Sequence, residues 1–182
     1  MSPCWRVPWR NSRDAYSIAV RDSRLLRSLT LISTNADAET PEKCRKYRIL
    51  SLVAFLFGVS SVVDKVLPIL FSRTFMSDPG RAEERKLWRQ RFLGNTRLGQ
   101  KRILTGVTNR TGIADKLSNV SLPTLIIAGE EDVATPPAIS RNLQRTIVGS
   151  ELVVIGGAGH SGTIEQPARV NEELRRFLND RR

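Results

Sequence analysis

The sequence predicts an α/β protein built on a parallel, doubly wound sheet, and three observations predict it. Three short runs, "SLTLIST" from Ser28, "PTLIIAG" from Pro123 and "ELVVIGG" from Glu151, are near-continuously apolar rather than alternating. That is the pattern of parallel strands covered on both faces. The second and third runs are joined by "EEDVATPPAISRNLQRTIVGS", in which Ile139, Leu143 and Ile147 fall on one helical face, so the segment is a βαβ unit. After the third run Val170, Leu174, Phe177 and Leu178 repeat at helical spacing as far as the terminal Arg182, which supplies a helix to pack on the sheet.

Taken in order along the chain, "DAYSIAVRDSRLLR" reads as a helix leading into the first strand. Residues 35–120 then separate the first strand from the second, a stretch far longer than one crossover helix needs. It must hold structure of its own, and "KYRILSLVAFLFGVSSVVDKVLPILF", "DPGRAEERKLWRQRFLGN" and "TRLGQKRILTGVTNRTGIADKLSNV" read as three to five helices. Asp78 and Pro79 mark a capped start, while Gly58, Gly94 and Gly112 mark breaks. This is a helical insertion over the carboxyl edge of the sheet. Farther on, Thr135 is expected to cap the helix opened by Pro136 and Pro137, and Pro167 to stand near the start of the last helix.

Composition fits one soluble domain: 182 residues, 40% hydrophobic and 26% charged, is enough chain for a real core. The formal net charge of +11 raises nucleic acid or an anionic surface as partners. The basic residues are spread along the chain, however, and no nucleic-acid module accompanies them, so neither partner is expected. Cys4 and Cys44 have no metal-site or disulfide spacing, and with a single histidine a zinc site would have to be built on carboxylates. No metal or other cofactor is expected, and a reducing cytoplasm fits best. The first residues, "MSPCWRVPWRNSRD", lack the apolar core of a secretory signal. The longest uncharged stretch, Ile49 to Val63, is 15 residues long, short of the roughly 18 of a spanning helix, and reads as a buried or pocket-lining helix.

Working residues of an open α/β sheet sit on loops just past the carboxyl ends of the strands. "LIIAGEEDVATPP" places Asp132 in one such loop and "LVVIGGAGHSG" places His160, the only histidine, in the next. Adjacent strands lie under about 5 Å apart, so the two side chains could meet at one rim. The carboxylate would take the imidazole Nδ1 proton and leave Nε2 as a base. The blander alternatives are a histidine satisfying a local hydrogen bond and an Asp132 that only caps the turn before Thr135. Glu130 and Glu131 are rival carboxylates in the same loop. Ser161, next to His160, would point away from it and is expected to be a loop hydrogen-bonder.

These residues resemble the C-terminal half of the α/β-hydrolase fold family, nearest to its lactonase and esterase-like members such as the 3-oxoadipate enol-lactonases. "RLLRSLTLIST" matches the sixth strand, "LPTLIIAGEEDVATPP" the seventh with its acid loop, and "VVIGGAGHSGTIEQPARVNEELRRFL" the eighth with the histidine loop and final helix. The resemblance implies a partial α/β-hydrolase fold: a core of residues 15–34 and 121–182, a helical cap over 35–120, and an atypical segment, 1–14. It also implies that Asp132 is the triad acid, the fourth residue of "GEED", and His160 the triad base, acting on a small-molecule ester or lactone.

The nucleophile elbow Gly-x-Ser-x-Gly does not occur in these 182 residues. The nearest string, "GVSSV" from Gly58, lacks the second glycine and lies in the helical region. Counting back from the first strand puts the elbow near "VPWRN", with Trp9 about where the serine belongs. Cys4, Ser12 and Ser17 lack the flanking glycines that the strained turn requires. The nucleophile is therefore unknown, and the expectation is a truncated or frame-shifted chain without hydrolytic activity. Its first strand would present an unpaired edge that invites self-association. The competing expectation is a non-catalytic binding module derived from the same fold. The apolar side chains Leu52, Phe55, Leu56 and Trp88 are candidate pocket-lining residues, although helical spacing makes each a core candidate too.

Overall fold

The structure, a computed structural model, describes Ala19 and residues 26–179. Its sheet has three strands, β1 (Leu29–Ile32), β2 (Thr124–Gly129) and β3 (Glu151–Ile155), in the order β1-β2-β3 and all parallel. Register runs from Leu29↔Thr124 to Ile32↔Ile127 on one side of β2 and from Leu125↔Glu151 to Gly129↔Ile155 on the other. Side chains alternate between the two faces of a strand, so consecutive residues of β2 feed two separate cores. Ile126 joins Leu29, Leu31, Leu117, Leu143 and Ile147 on one face. Leu125 and Ile127 join Ile155, Val170 and Phe177 on the other.

Each face is closed by a helix whose apolar spacing was legible in the sequence. Helix α6 (Pro137–Thr146) brings Leu143 to the first core, and α8 (Pro167–Asn179) brings Val170 and Phe177 to the second. Leu178 is half exposed on the outer side of α8. The expectation of strands covered on both faces holds in full only for β2, whose six residues are all buried. Strand β1 alternates buried and half-buried residues, and Val154 of β3 is exposed. Among the described residues both strands stand at the rim of this sheet, with a neighbour on one side only.

Between β1 and β2 lie five helices: α1 (Pro41–Phe57), α2 (Val63–Leu70), α3 (Arg73–Ser77), α4 (Ala82–Leu93) and α5 (Arg97–Thr108). Their starts follow capping chemistry. The Thr40 hydroxyl accepts from the Lys43 N–H ahead of α1, Ser72 from the Phe75 N–H ahead of α3, and Thr96 from the Gly99 N–H ahead of α5. Asp78 caps the short 3₁₀ turn at Pro79–Arg81 that feeds α4. Gly58 ends α1 with φ of 95°, a conformation that a side chain would strain. A third apolar cluster, Val63, Leu67, Phe71 and Phe75 with Trp88 and Phe92 packed against it, ties α2, α3 and α4 together. The proposed helix before β1 lies outside the described residues except for Ala19, which is helical and buried in the first core.

Two expectations change here. Thr135 does not cap α6: Pro136 occupies that position and no side chain caps the helix. Pro136 has no side-chain acceptor, so the Ile139 N–H of the first turn bonds instead to the Pro136 carbonyl, and the Thr135 hydroxyl is used elsewhere. Of the two readings of the apolar stretch from Ile49, the buried helix does not hold, whereas the pocket-lining one does on one side, where Leu50 and Ala54 border a cavity. Ala54 is the one fully buried residue of α1, and Leu52, Leu56 and Phe57 are 57%, 55% and 71% exposed.

Candidate active site

The loops after β2 and β3 are fastened to each other before any side chain is considered. The Glu130 N–H donates to the Ile155 carbonyl and the Glu131 N–H to the Ala158 carbonyl, at 3.0 and 2.8 Å. Gly129 permits this approach, because a Cβ there would drive into the backbone carbonyls of Ala158 and Gly159. The chain then turns tightly, with the Asp132 N–H returning to the Gly129 carbonyl.

That turn buries the Asp132 side chain completely, beside a His160 ring that remains 31% exposed. Asp132 Oδ2 stands 3.0 Å from His160 Nδ1. It also accepts from the Thr135 hydroxyl at 2.7 Å, while Oδ1 accepts from the Thr135 N–H at 2.8 Å. Burial by itself would raise the acid's pKa. The hydrogen bond and charge of His160, with the two donors of Thr135, outweigh it and hold the Asp132 carboxyl below its ordinary value. An ionised Asp132 is acceptor-only, so the Nδ1 proton sits on the histidine and Nε2 is the nitrogen available to the cavity that His160 lines. The turn-capping role considered for Asp132 is real, and the same carboxylate also orients the imidazole.

His160 is held through its neighbours on both sides. The Gly159 N–H donates to Glu165 Oε1 at 3.0 Å, the Ser72 N–H donates to Oε2 of the same carboxylate at 2.8 Å, and the Ser161 N–H donates to the Leu70 carbonyl. Glu165 is buried and belongs to the short helix α7 (Gly162–Glu165). Sequence reasoning missed it; the available signal was a lone Glu five residues past the histidine in an otherwise uncharged loop. The rival carboxylates point elsewhere: Glu130 accepts from the Gly157 N–H, and Glu131 from the N–H and hydroxyl of Thr74. The "GVSSV" string forms the 3₁₀ link between α1 and α2, where the Ser61 hydroxyl donates to the Gly58 carbonyl. It is no strand-to-helix elbow. Cys4, Trp9, Ser12 and Ser17 lie outside the described residues.

A cavity of about 360 Å³ opens at the carboxyl ends of all three strands, touching Ser33 after β1, Thr135 after β2 and His160 after β3. Ser33 leaves β1 in the left-handed region, at φ of 44°, and so turns the chain onto the cavity. The walls above are apolar: Leu50 and Ala54 of α1, Val66 of α2, and Leu104 and Val107 of α5. None of Leu52, Phe55, Leu56 and Trp88 lines it. The first three lie on α1 but on its other sides, and Trp88 packs against Phe71. One end is polar, where Glu39 and Arg110 form a largely buried ion pair at 2.5 Å beside Tyr47. Burial, then the negative charges of Glu39 and Asp132, raise the Tyr47 pKa, so it faces the cavity as a neutral phenol. Among the described residues no group of three His, Cys, Asp or Glu side chains is placed to hold a metal ion. No described helix is long and apolar enough to cross a membrane.

Comparison with known proteins places this geometry. Residues 104–182 match the family model of TAP-like proteins. A putative carbamate hydrolase RutD of Rhizobium rhizogenes is 26% identical over 166 residues, which covers 90% of this chain and 62% of that one. A thermophilic esterase from Thermogutta terrifontis superposes with a TM-score of 0.77 at 30% identity, covering 91% of this chain and 61% of that one. The enol-lactonase of Burkholderia xenovorans superposes with a TM-score of 0.80 at 22% identity, covering 92% and 62%. The chain thus spans less than two thirds of the length of each of these proteins. With three parallel strands in this order, helices on both faces and a helical segment over the carboxyl edge, the chain carries part of the α/β-hydrolase fold and resembles members of that family.

Proposed function

We propose that this chain carries the acid–base part of a serine-hydrolase site for small carboxylic esters or lactones, with residues 35–120 as the cap that shapes the substrate cavity. The observation behind the proposal is the fully buried Asp132 carboxylate 3.0 Å from Nδ1 of a half-exposed His160 that borders an apolar cavity. In acyl transfer, His160 Nε2 takes the serine proton as the Ser–O–C bond forms, then returns that proton to the leaving alkoxide as the old C–O bond breaks. Asp132 stabilises the imidazolium between the two steps. Deacylation repeats the sequence with water as the nucleophile.

These 182 residues contain no Gly-x-Ser-x-Gly, so by themselves they do not turn over an ester. The serine and the oxyanion-hole amides must come from residues outside them, because triad chemistry without nucleophile and hole leaves nothing to activate. A reducing, cytoplasmic setting goes with this reading, given a free thiol at Cys44. Incubation of the chain with p-nitrophenyl acetate should show no difference between parent and His160→Ala. Co-expression with the part of the Thermogutta terrifontis esterase that this chain does not span should create hydrolysis that His160→Ala abolishes. A complemented enzyme indifferent to His160→Ala would overturn the assignment of the base. Turnover by the chain alone that depends on His160 would overturn its inactivity.

No strand among the described residues pairs with the far edge of β1. We propose that this edge drives self-association of the chain, visible as a concentration-dependent sedimentation coefficient. A monomer at every concentration would refute it.

A further inference from the structure

The C-terminal half of α1 is apolar and exposed on the side away from the cavity. At about 100° per residue, Tyr47, Leu50 and Ala54 of α1 point one way and line the cavity. Ile49, Leu52 and Leu56 occupy the opposite stripe, more than half exposed, with Phe57 at the helix end. Helix α5 packs alongside and repeats the arrangement. Its Gln100, Leu104 and Val107 face the cavity, and Leu98, Lys101 and Arg102 are exposed on the other side. Exposed apolar side chains this close together on one surface need a reason.

The charges around that stripe indicate what it meets. Arg45, Arg48, Lys101 and Arg102 rim it, all exposed, and none has an ion-pair partner among the described residues. Helix α5 carries no acidic residue, and the one acid of α1, Glu42, is in its first turn. Apolar side chains framed by four cations against the single acid Glu42 match the boundary between anionic headgroups and acyl chains. A second copy docked face to face would set four cations against four, so self-pairing opposes the charge pattern. We propose that the outer face of α1 and α5 docks on an anionic lipid surface. Ile49, Leu52 and Leu56 enter the headgroup boundary, and Arg45, Arg48, Lys101 and Arg102 meet lipid phosphates. The helices lie on the surface and do not cross it.

Flotation of the full chain with vesicles tests this. Phosphatidylcholine vesicles containing phosphatidylglycerol should carry the chain at low salt, pure phosphatidylcholine vesicles should not, and high salt should release it. Each cation near an anionic surface is worth about fivefold in partitioning. Arg45→Glu with Arg102→Glu should therefore weaken binding by at least about 25-fold, and Leu52→Ser with Leu56→Ser should also weaken it. The control is Arg141→Glu with Arg175→Glu, two exposed positions on α6 and α8 that change net charge equally and should retain most of the binding. No binding to anionic vesicles, or equal loss in the control pair, would overturn the proposal, the latter because only total charge would then matter. So would an oligomer that Leu52→Ser with Leu56→Ser dissolves, since the face would then belong to a second copy; association through the β1 edge would survive those substitutions.

Discussion

Thr135→Val isolates the contact that joins the two halves of the site. The valine has nearly the shape of threonine and leaves the backbone N–H bond to Asp132 Oδ1 in place, so the loss is confined to the hydroxyl's own contacts, the 2.7 Å bond to Oδ2 and the 3.3 Å approach to His160 Nδ1. The position is buried and the carboxylate it serves is fully covered, so water does not replace the donor. A hydrogen bond to a charged group contributes about 1.5–3 kcal/mol, and urea unfolding at neutral pH should show a loss of that size. The pH dependence follows from the lowered pKa of Asp132. A carboxyl depressed in the folded state stabilises the fold above its unfolded value and loses that contribution as pH falls through its folded value. Losing the hydroxyl donor raises the folded pKa toward its unfolded value, so the acid limb of the stability curve should move to higher pH. The gap between variant and parent should then close once Asp132 is protonated in both. Thr135→Ser keeps the hydroxyl and should stay near the parent. The single histidine gives an independent readout, because its ¹⁵N spectrum should report the Nδ1–H tautomer in parent and Ser variant and a mixture in the Val variant. A Val variant within about 0.5 kcal/mol of the parent at neutral pH, or a loss that is the same at every pH, would refute the coupling.

Other outcomes follow from the same coordinates. Glu165→Ala strands the buried N–H groups of Ser72 and Gly159 and should cost about 2–6 kcal/mol, at roughly 1–3 for each unsatisfied group. Glu165→Gln, which keeps one acceptor, should cost clearly less, and equal losses by urea unfolding would show that the clamp does not act through those donors. Gly129→Ala puts a Cβ against the Ala158 and Gly159 carbonyls and should destabilise by about 3 kcal/mol or more, beyond a typical overpacking change. It should also loosen His160, seen as line broadening of its ring signals. A Gly129→Ala chain with parental stability would mean that the two loops do not approach as described.

How much was legible in advance differs by scale. The three strands and the helices that cover them were readable because burial imposes periodicity, and Leu143, Val170 and Phe177 do fill the faces their spacing predicted. Gly58, Gly94 and the Asp78-Pro79 start, which are local chemistry, bounded the helices over 35–120 only to a range of three to five, and the structure has five. The pocket lining was not. Leu52 and Leu56 are as apolar as Leu50 and Ala54, and an α1 apolar on all sides carries no signal for which side meets the cavity. Docking of α1 against α5 makes that choice. Thr135 was likewise ambiguous: threonine before two prolines is a cap by local rules, yet the fold closes it onto a carboxylate three residues back.

The sequence by itself determined the α/β class, the parallel βαβ unit, the placement of Asp132 and His160 at successive strand ends, and the lack of a Gly-x-Ser-x-Gly. These properties reside in residue type and short-range spacing. Only the tertiary structure decided that Asp132 Oδ2 and His160 Nδ1 stand 3.0 Å apart, that Thr135 and Glu165 hold them there, and which side of α1 lines the cavity and which is left outside. Each of those depends on contacts between residues distant in sequence, set by how the strands register and the helices dock.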